Sequence, residues 1–124
     1  MPVPILRQDK LLIASLPPAA TDRELSELLT ELAEQVGRIG ARGVVVDVSA
    51  LDVLDSFATH VLETVGQVTQ LRGAATVIVG IQPDVAVAMV QLGVRLDGVL
   101  TALDLEDGME LLHQEVDTAG RHDG

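Results

Sequence analysis

The chain has 124 residues, of which 48% are hydrophobic, and 19 acidic against 8 basic side chains leave a formal charge of −11. That length holds one domain's core and not two, and the acidic excess opposes duplex binding, which works by neutralising phosphates. One Phe with no Tyr or Trp cannot form a base-stacking platform, and the absence of Cys removes thiol nucleophiles, disulfides and cysteine-type zinc sites.

No nucleic-acid partner is expected. The most apolar windows, residues 43–48, 76–81 and 85–90, are far shorter than the roughly 20 residues of a bilayer span. The first six residues lack the charged and apolar regions of a secretory signal. These features predict a soluble, cytoplasmic protein with no membrane partner.

In chain order, residues 4–7 and 11–16 read as two strands around a polar turn. Pro17 and Pro18 end the second, because neither can donate to a ladder. Thr21 opens a helix with Glu24 at capping-box spacing. Leu25, Leu28, Leu29, Leu32, Val36 and Ile39 form its apolar stripe, with Glu27, Glu31, Glu34 and Arg38 opposite and Gly40 just past the end. Residues 43–48, a β-branched run, predict a strand buried on both faces.

A loop over residues 49–55 leads to a second helix over 56–71, with Phe57, Val61, Val65 and Val68 turned inward. Residues 76–80 read as the next buried strand. Pro83 sits at the first position of a third helix, where its missing N–H costs nothing, and Gly93 ends it. A short strand over 99–102 precedes a last helix, capped by Asp104, on which Leu105, Met109, Leu112 and Val116 align. Residues 117–124 are polar and glycine-containing and read as a disordered tail. The order ββαβαβαβα predicts an α/β fold, a mixed and mostly parallel sheet flanked by four helices, over residues 4–116.

Enzymatic signatures are sparse. The chain has no phosphate-cradling glycine loop, and His60, His113 and His122 lack the i, i+4 spacing of a metal pair. Asp47, Asp52 and Asp55 cluster near the end of a central strand, where α/β sheets bind ligands. A phospho-acceptor site would also want a downstream lysine, and the lone lysine is Lys10, so these acids read first as loop and cap residues. No cofactor and no metal are expected.

Ser56 stands out. It lies with Asp55 and Phe57 where a loop becomes a helix, and either Asp55 or Ser56 can act as N-cap. A phosphoserine there would bring about −1.5 to −2 charges to free helical N–H groups. Asp52 and Asp55 would repel it, so the fold could tolerate the change while a partner saw a different surface. Thr59, one turn on, offers a second hydroxyl acceptor, although a helical threonine ordinarily bonds back to a carbonyl. The chain's sole ring, Phe57, follows Ser56 and is expected to anchor the helix start in the core, where full burial would make its loss cost about 3–5 kcal/mol.

Three segments together resemble the STAS family of anti-sigma factor antagonists, and within it the RsbS-like scaffolds of the bacterial stressosome. They are residues 43–49, which contain Asp47 and end in Ser49, the Leu54-Asp55-Ser56-Phe57 step, and residues 80–88 beginning Gly80-Ile81-Gln82-Pro83 with Leu92-Gly93-Val94 after them. Residues 101–105 fit the same pattern. The resemblance implies a non-enzymatic single STAS domain that sequesters a switch serine kinase and releases it once Ser56 is phosphorylated. It further implies a stress-response phosphoprotein that partners larger RsbR-like STAS paralogues, an RsbT-like kinase and a resetting phosphatase, as a homodimer within a larger assembly. Asp52, Asp55 and Phe57 would support the switch.

The alternative within this fold is an antagonist that binds an anti-sigma kinase one-to-one. Another class would be a small phosphorelay or ligand-binding protein using Asp47, Asp52 and Asp55. The acids Asp104, Glu106, Asp107, Glu110, Glu115 and Asp117 crowd the last helix and read as a solvated face, with a salt-sensitive docking face for basic partners as the other possibility.

Overall fold

The computed structural model describes residues 3–122, with the surroundings of side chains as far as Glu115. The elements run β1 (Ile5–Gln8), β2 (Leu11–Ser15), α1 (Asp22–Ile39), β3 (Gly43–Asp47), α2 (Ser56–Leu71), β4 (Ala75–Val79), α3 (Pro83–Gln91), β5 (Leu100–Ala102) and α4 (Leu105–His122). This is the order expected from the sequence.

Among the described residues one five-stranded sheet forms, in the order β1-β2-β3-β4-β5. β1 pairs antiparallel with β2 through the two-residue turn Asp9-Lys10, and every other pairing is parallel. Asp9 takes the left-handed conformation such a turn demands, at φ 56°, and Asp is one of the few side chains that tolerates it.

The β-branched strands are buried on both sides, for a visible reason. Leu12, Ala14, Val44, Val46 and Ile78 face a larger core built with Leu25, Leu28 and Leu32 of α1, Val61, Leu62 and Val65 of α2, and Val85 and Met89 of α3. The alternate residues Leu11, Ile13, Val45, Val77 and Val79 face a smaller core closed by Leu112 of α4 with half-buried Met109. α4 sits close because Gly108 leaves room: a Cβ there would lie 2.5 Å from a methyl of Val79.

Helix α1 forms as its sequence dictates. Thr21 Oγ1 accepts from the Glu24 N–H at 3.1 Å, and Glu24 Oε1 accepts from the Thr21 N–H at 3.0 Å, which completes the capping box. Gly40 closes the other end at φ 65°.

Three expectations need correction. On α2, Val61 and Val65 are buried but Phe57 and Val68 are only half-buried; Ala58, Leu62 and Thr69 take the inward positions instead. Leu105 at the start of α4 is exposed, because the stripe on that helix begins to meet the sheet only at Gly108 and Met109. The polar tail expected to be disordered from Asp117 is helical as far as His122. No proline interrupts it, and a nucleated helix extends by one hydrogen bond per residue. Its last two residues lie outside the described residues, as do all side chains from Val116 onward.

Ser15, Asp47, Val79 and Ala102 stand at one level across the parallel strands. The loops that follow them, and the N-termini of all four helices, therefore gather at a single edge of the sheet.

Candidate functional site

At that edge the loop from β3 to α2 is tied down at both ends. Asp47 is half-buried, and its Oδ1 accepts from the Ser49 N–H at 2.9 Å. The Val48 N–H donates to the Val79 carbonyl at 3.0 Å and the Leu51 N–H to the Val48 carbonyl at 3.0 Å. Buried Leu51 and Leu54 pin the loop to the larger core, leaving Asp52 and Val53 exposed between them.

Ser49 is held from the next loop as well. The side chain of Gln82, 33 residues on, donates through Nε2 to the Ser49 carbonyl. Gly80 packs against the same residue at φ 76°, where a Cβ would lie 2.7 Å from Ser49 Cβ and 3.0 Å from its Cα. Both the left-handed backbone and the missing space require glycine at this position.

At the loop's far end, extended Asp55 is the N-cap of α2, its Oδ1 accepting from the Ala58 N–H at 2.8 Å. Ser56 is then the first helical residue. It is exposed, and its hydroxyl makes no hydrogen bond among the described residues. Thr59 lies the other way. It is only 5% exposed, and its Oγ1 donates to the Asp55 carbonyl at 2.9 Å, the same oxygen that accepts the Thr59 N–H at 3.0 Å.

Phe57 packs against the larger core from the side and steadies the helix start without being sunk in it. The first turn of α2 carries no acidic side chain, in contrast to α1, where Asp22 and Glu24 fill that role. Within the helix start itself, the Asp55 cap is what faces the positive end of the α2 dipole. Exposed Val53, and Leu103 on the loop after β5, add apolar surface at the same sheet edge.

Other candidates are not brought together. Asp52 is exposed, Asp55 is engaged as the α2 cap and Asp47 with Ser49, and no three metal-ligating side chains converge among the described residues. His60 and His113 are exposed; the side chain of His122 lies outside the described residues. Among the described residues no helix is long and apolar enough to cross a membrane. The Gln82–Ser49 link and the part played by Gly80 could not be read in advance from local pattern. The available signal was faint: Gln is a poor N-cap, so ahead of Pro83 its side chain was free for work elsewhere.

A STAS domain model matches residues 19–108 of the chain. Among solved structures, a serine-to-glutamate variant of RsbS from Moorella thermoacetica superposes with a TM-score of 0.84 at 32% identity, covering 93% of this chain and 97% of that one. A chain from the molecular architecture of the stressosome, a signal integration and transduction hub, gives 0.79 at 33% identity, covering 90% and 96% respectively. The RsbT co-antagonist protein RsbRA of Bacillus subtilis is 26% identical over 83 residues, which is 67% of this chain and 30% of that protein. The chain thus spans under a third of that relative's length.

Proposed function

From the chain's membership of the STAS domain family, which the match over residues 19–108 establishes, we propose that it is a stressosome scaffold and anti-sigma factor antagonist switched by phosphorylation of Ser56. In this reading it has no catalysis of its own. It binds a switch serine kinase of the RsbT type together with RsbR-like STAS paralogues in the cytoplasm, and releases the kinase when modified. The observation that carries the reading is the free, exposed hydroxyl of Ser56 at the first position of α2. The likeness to RsbS and to a stressosome chain, each at over 30% identity across nearly the whole domain, supports it.

The geometry suits a switch. The kinase would bring ATP and magnesium; the γ-phosphoryl group passes to Ser56 Oγ, the hydroxyl proton is lost and ADP leaves. The product places about −1.5 to −2 charges where the first helical N–H groups have no partner within the helix and no acid yet occupies the turn. Asp55 and Asp52 oppose the new charge, so the fold neither gains nor loses much. A partner docked over this edge loses far more, since it must now desolvate a dianion. A phosphatase then resets the surface. Thr59 stays out of this chemistry while its hydroxyl is buried against the Asp55 carbonyl.

Incubation with a switch kinase and Mg-ATP, followed by mass-spectrometric mapping, is expected to place a single phosphate on Ser56. Phosphate elsewhere, or none on Ser56, sinks the reading. Mixing the chain with an RsbR-like paralogue is expected to give a megadalton-scale assembly on size exclusion. A one-to-one complex with the kinase and no such assembly would favour a simple antagonist.

A further inference from the structure

We infer that the groove between the free edge of β1 and helix α1 is a second docking surface, which receives an extended basic segment of a partner protein as an added strand. This does not rest on the role of Ser56: no residue lining the groove belongs to the β3–α2 loop or to α2.

The groove has a volume of about 700 Å³. Val3, Ile5 and Leu28 make an apolar floor, and Glu27, Glu31 and Glu34 stand along one wall. β1 is hydrogen-bonded only to β2, so among the described residues its outer backbone groups have no ladder partner. An unpaired edge is a template for a further strand, and peptides that add to such edges draw affinity from the main chain and specificity from alternate side chains.

The two faces of that edge differ. On the α1 side lies the row of carboxylates. Glu27 meets exposed Arg23 at 3.1 Å and Glu31 accepts from Gln35, while Glu34 has no partner among the described residues. On the other side of the sheet Leu6, opposite Ile13, is left 65% exposed. A strand alternating basic and aliphatic residues satisfies both. Its Lys stems would cover half-buried Ile5 while their ammonium groups reach the glutamates, and its aliphatic residues would cover Leu6.

The spacing agrees. Glu27 and Glu31 are about 6 Å apart along a helix axis, and alternate side chains of an extended chain are about 7 Å apart. A second copy of this chain is a poor occupant. It carries the same −11 charge, and a symmetric contact would set one row of glutamates against its equal.

The test uses the whole chain and a labelled nine-residue peptide in which lysine alternates with valine, with a control of the same composition in which the lysines are contiguous. Fluorescence anisotropy is expected to show salt-sensitive binding of the alternating peptide, at least tenfold tighter than the control. The double variant Glu31→Gln with Glu34→Gln should weaken it at least tenfold, and Glu110→Gln on α4 should leave it unchanged. Amide shifts in a nitrogen–proton correlation spectrum should concentrate in β1 and the facing turns of α1. Equal binding of both peptides, equal loss in the Glu110→Gln protein, shifts centred on any other region, or a dimer of the chain alone that protects the β1 amides would each overturn it.

Discussion

The starts of α1 and α2 lie at the same sheet edge and use the same residue types, yet they do opposite things with a hydroxyl. At α1 the hydroxyl residue is itself the cap: Thr21 Oγ1 accepts from Glu24, Glu24 reciprocates, and the first turn is already acidic. At α2 the cap is Asp55, which displaces the hydroxyl by one residue. Ser56 lands at the first helical position, turned to solvent, in a turn with no acid of its own. A serine or threonine at the cap is consumed by structure. One step later it is free for chemistry, beside unpaired N–H groups that favour an added anion.

The sharpest way to break this contrast is to exchange which hydroxyl is removed. Ser56→Ala is expected to abolish phosphorylation entirely by mass spectrometry while changing stability by under about 0.5 kcal/mol, as exposed substitutions do. Thr21→Ala should do the reverse, costing about 1 kcal/mol in urea unfolding with phosphate incorporation intact. If Ser56→Ala unfolded the protein as readily as Thr21→Ala, the two helix starts would be equivalent and the contrast would fail.

The support beneath the Ser56 loop comes next. Gly80→Ala must meet Ser49 and hold a left-handed backbone, and is expected to cost about 1–3 kcal/mol by strain of this kind. Gln82→Ala removes one hydrogen bond to the Ser49 carbonyl and should cost about 0.5–1.5 kcal/mol. Its more telling effect would be faster hydrogen exchange at the Ser49 and Leu51 amides, with those of α1 unchanged. Phe57→Ala tests the same end of α2 from the core side. Because the ring is half-buried rather than enclosed, the loss should be about 1–2 kcal/mol, below the roughly 3–5 of a fully buried Phe. A loss at the upper figure would mean that the ring is seated deeper than its exposure indicates.

Local chemistry explains which parts of this were legible in the sequence. The capping box at Thr21 and Glu24, Gly40 after α1, Pro83 at the start of α3 and the run from Gly43 to Asp47 each act within a few residues, so pattern reveals them. Burial on α2 was legible only in part, since Phe57 lies at the helix end, where the neighbouring layers no longer enclose a side chain. The hydrogen bond between buried Thr69 and Thr76 joins α2 to β4 across a turn, and the Gln82–Ser49 bond joins two loops 33 residues apart. Neither has a periodic signature. At the candidate site, Ser56 was visible as a hydroxyl at a helix boundary. That Asp55 rather than Ser56 would take the cap, leaving the hydroxyl free, needed backbone geometry: both residue types cap well.

The smallest effect expected is a pH dependence at the start of α1. The Thr21 N–H donates to Glu24, and this holds the Glu24 carboxyl below its ordinary value of 4.5. A carboxylate whose folded pKa is depressed stabilises the fold fully above its unfolded value, and that contribution disappears as the pH falls through the folded value. Acidification from neutral pH to below 4.5 should therefore erode the difference in melting temperature between the native chain and a Glu24→Gln variant. Near neutral pH the native chain should be slightly the more stable. The start of α2 has no such box, because its third helical residue is Ala58, with no side chain to accept from the cap N–H, and a Ser56→Ala variant removes no titratable group, so it should track the native chain across the same range. A Glu24→Gln difference that stayed constant with pH would show that the side chain caps as well neutral as charged, and the two helix starts would then differ by hydroxyl placement alone.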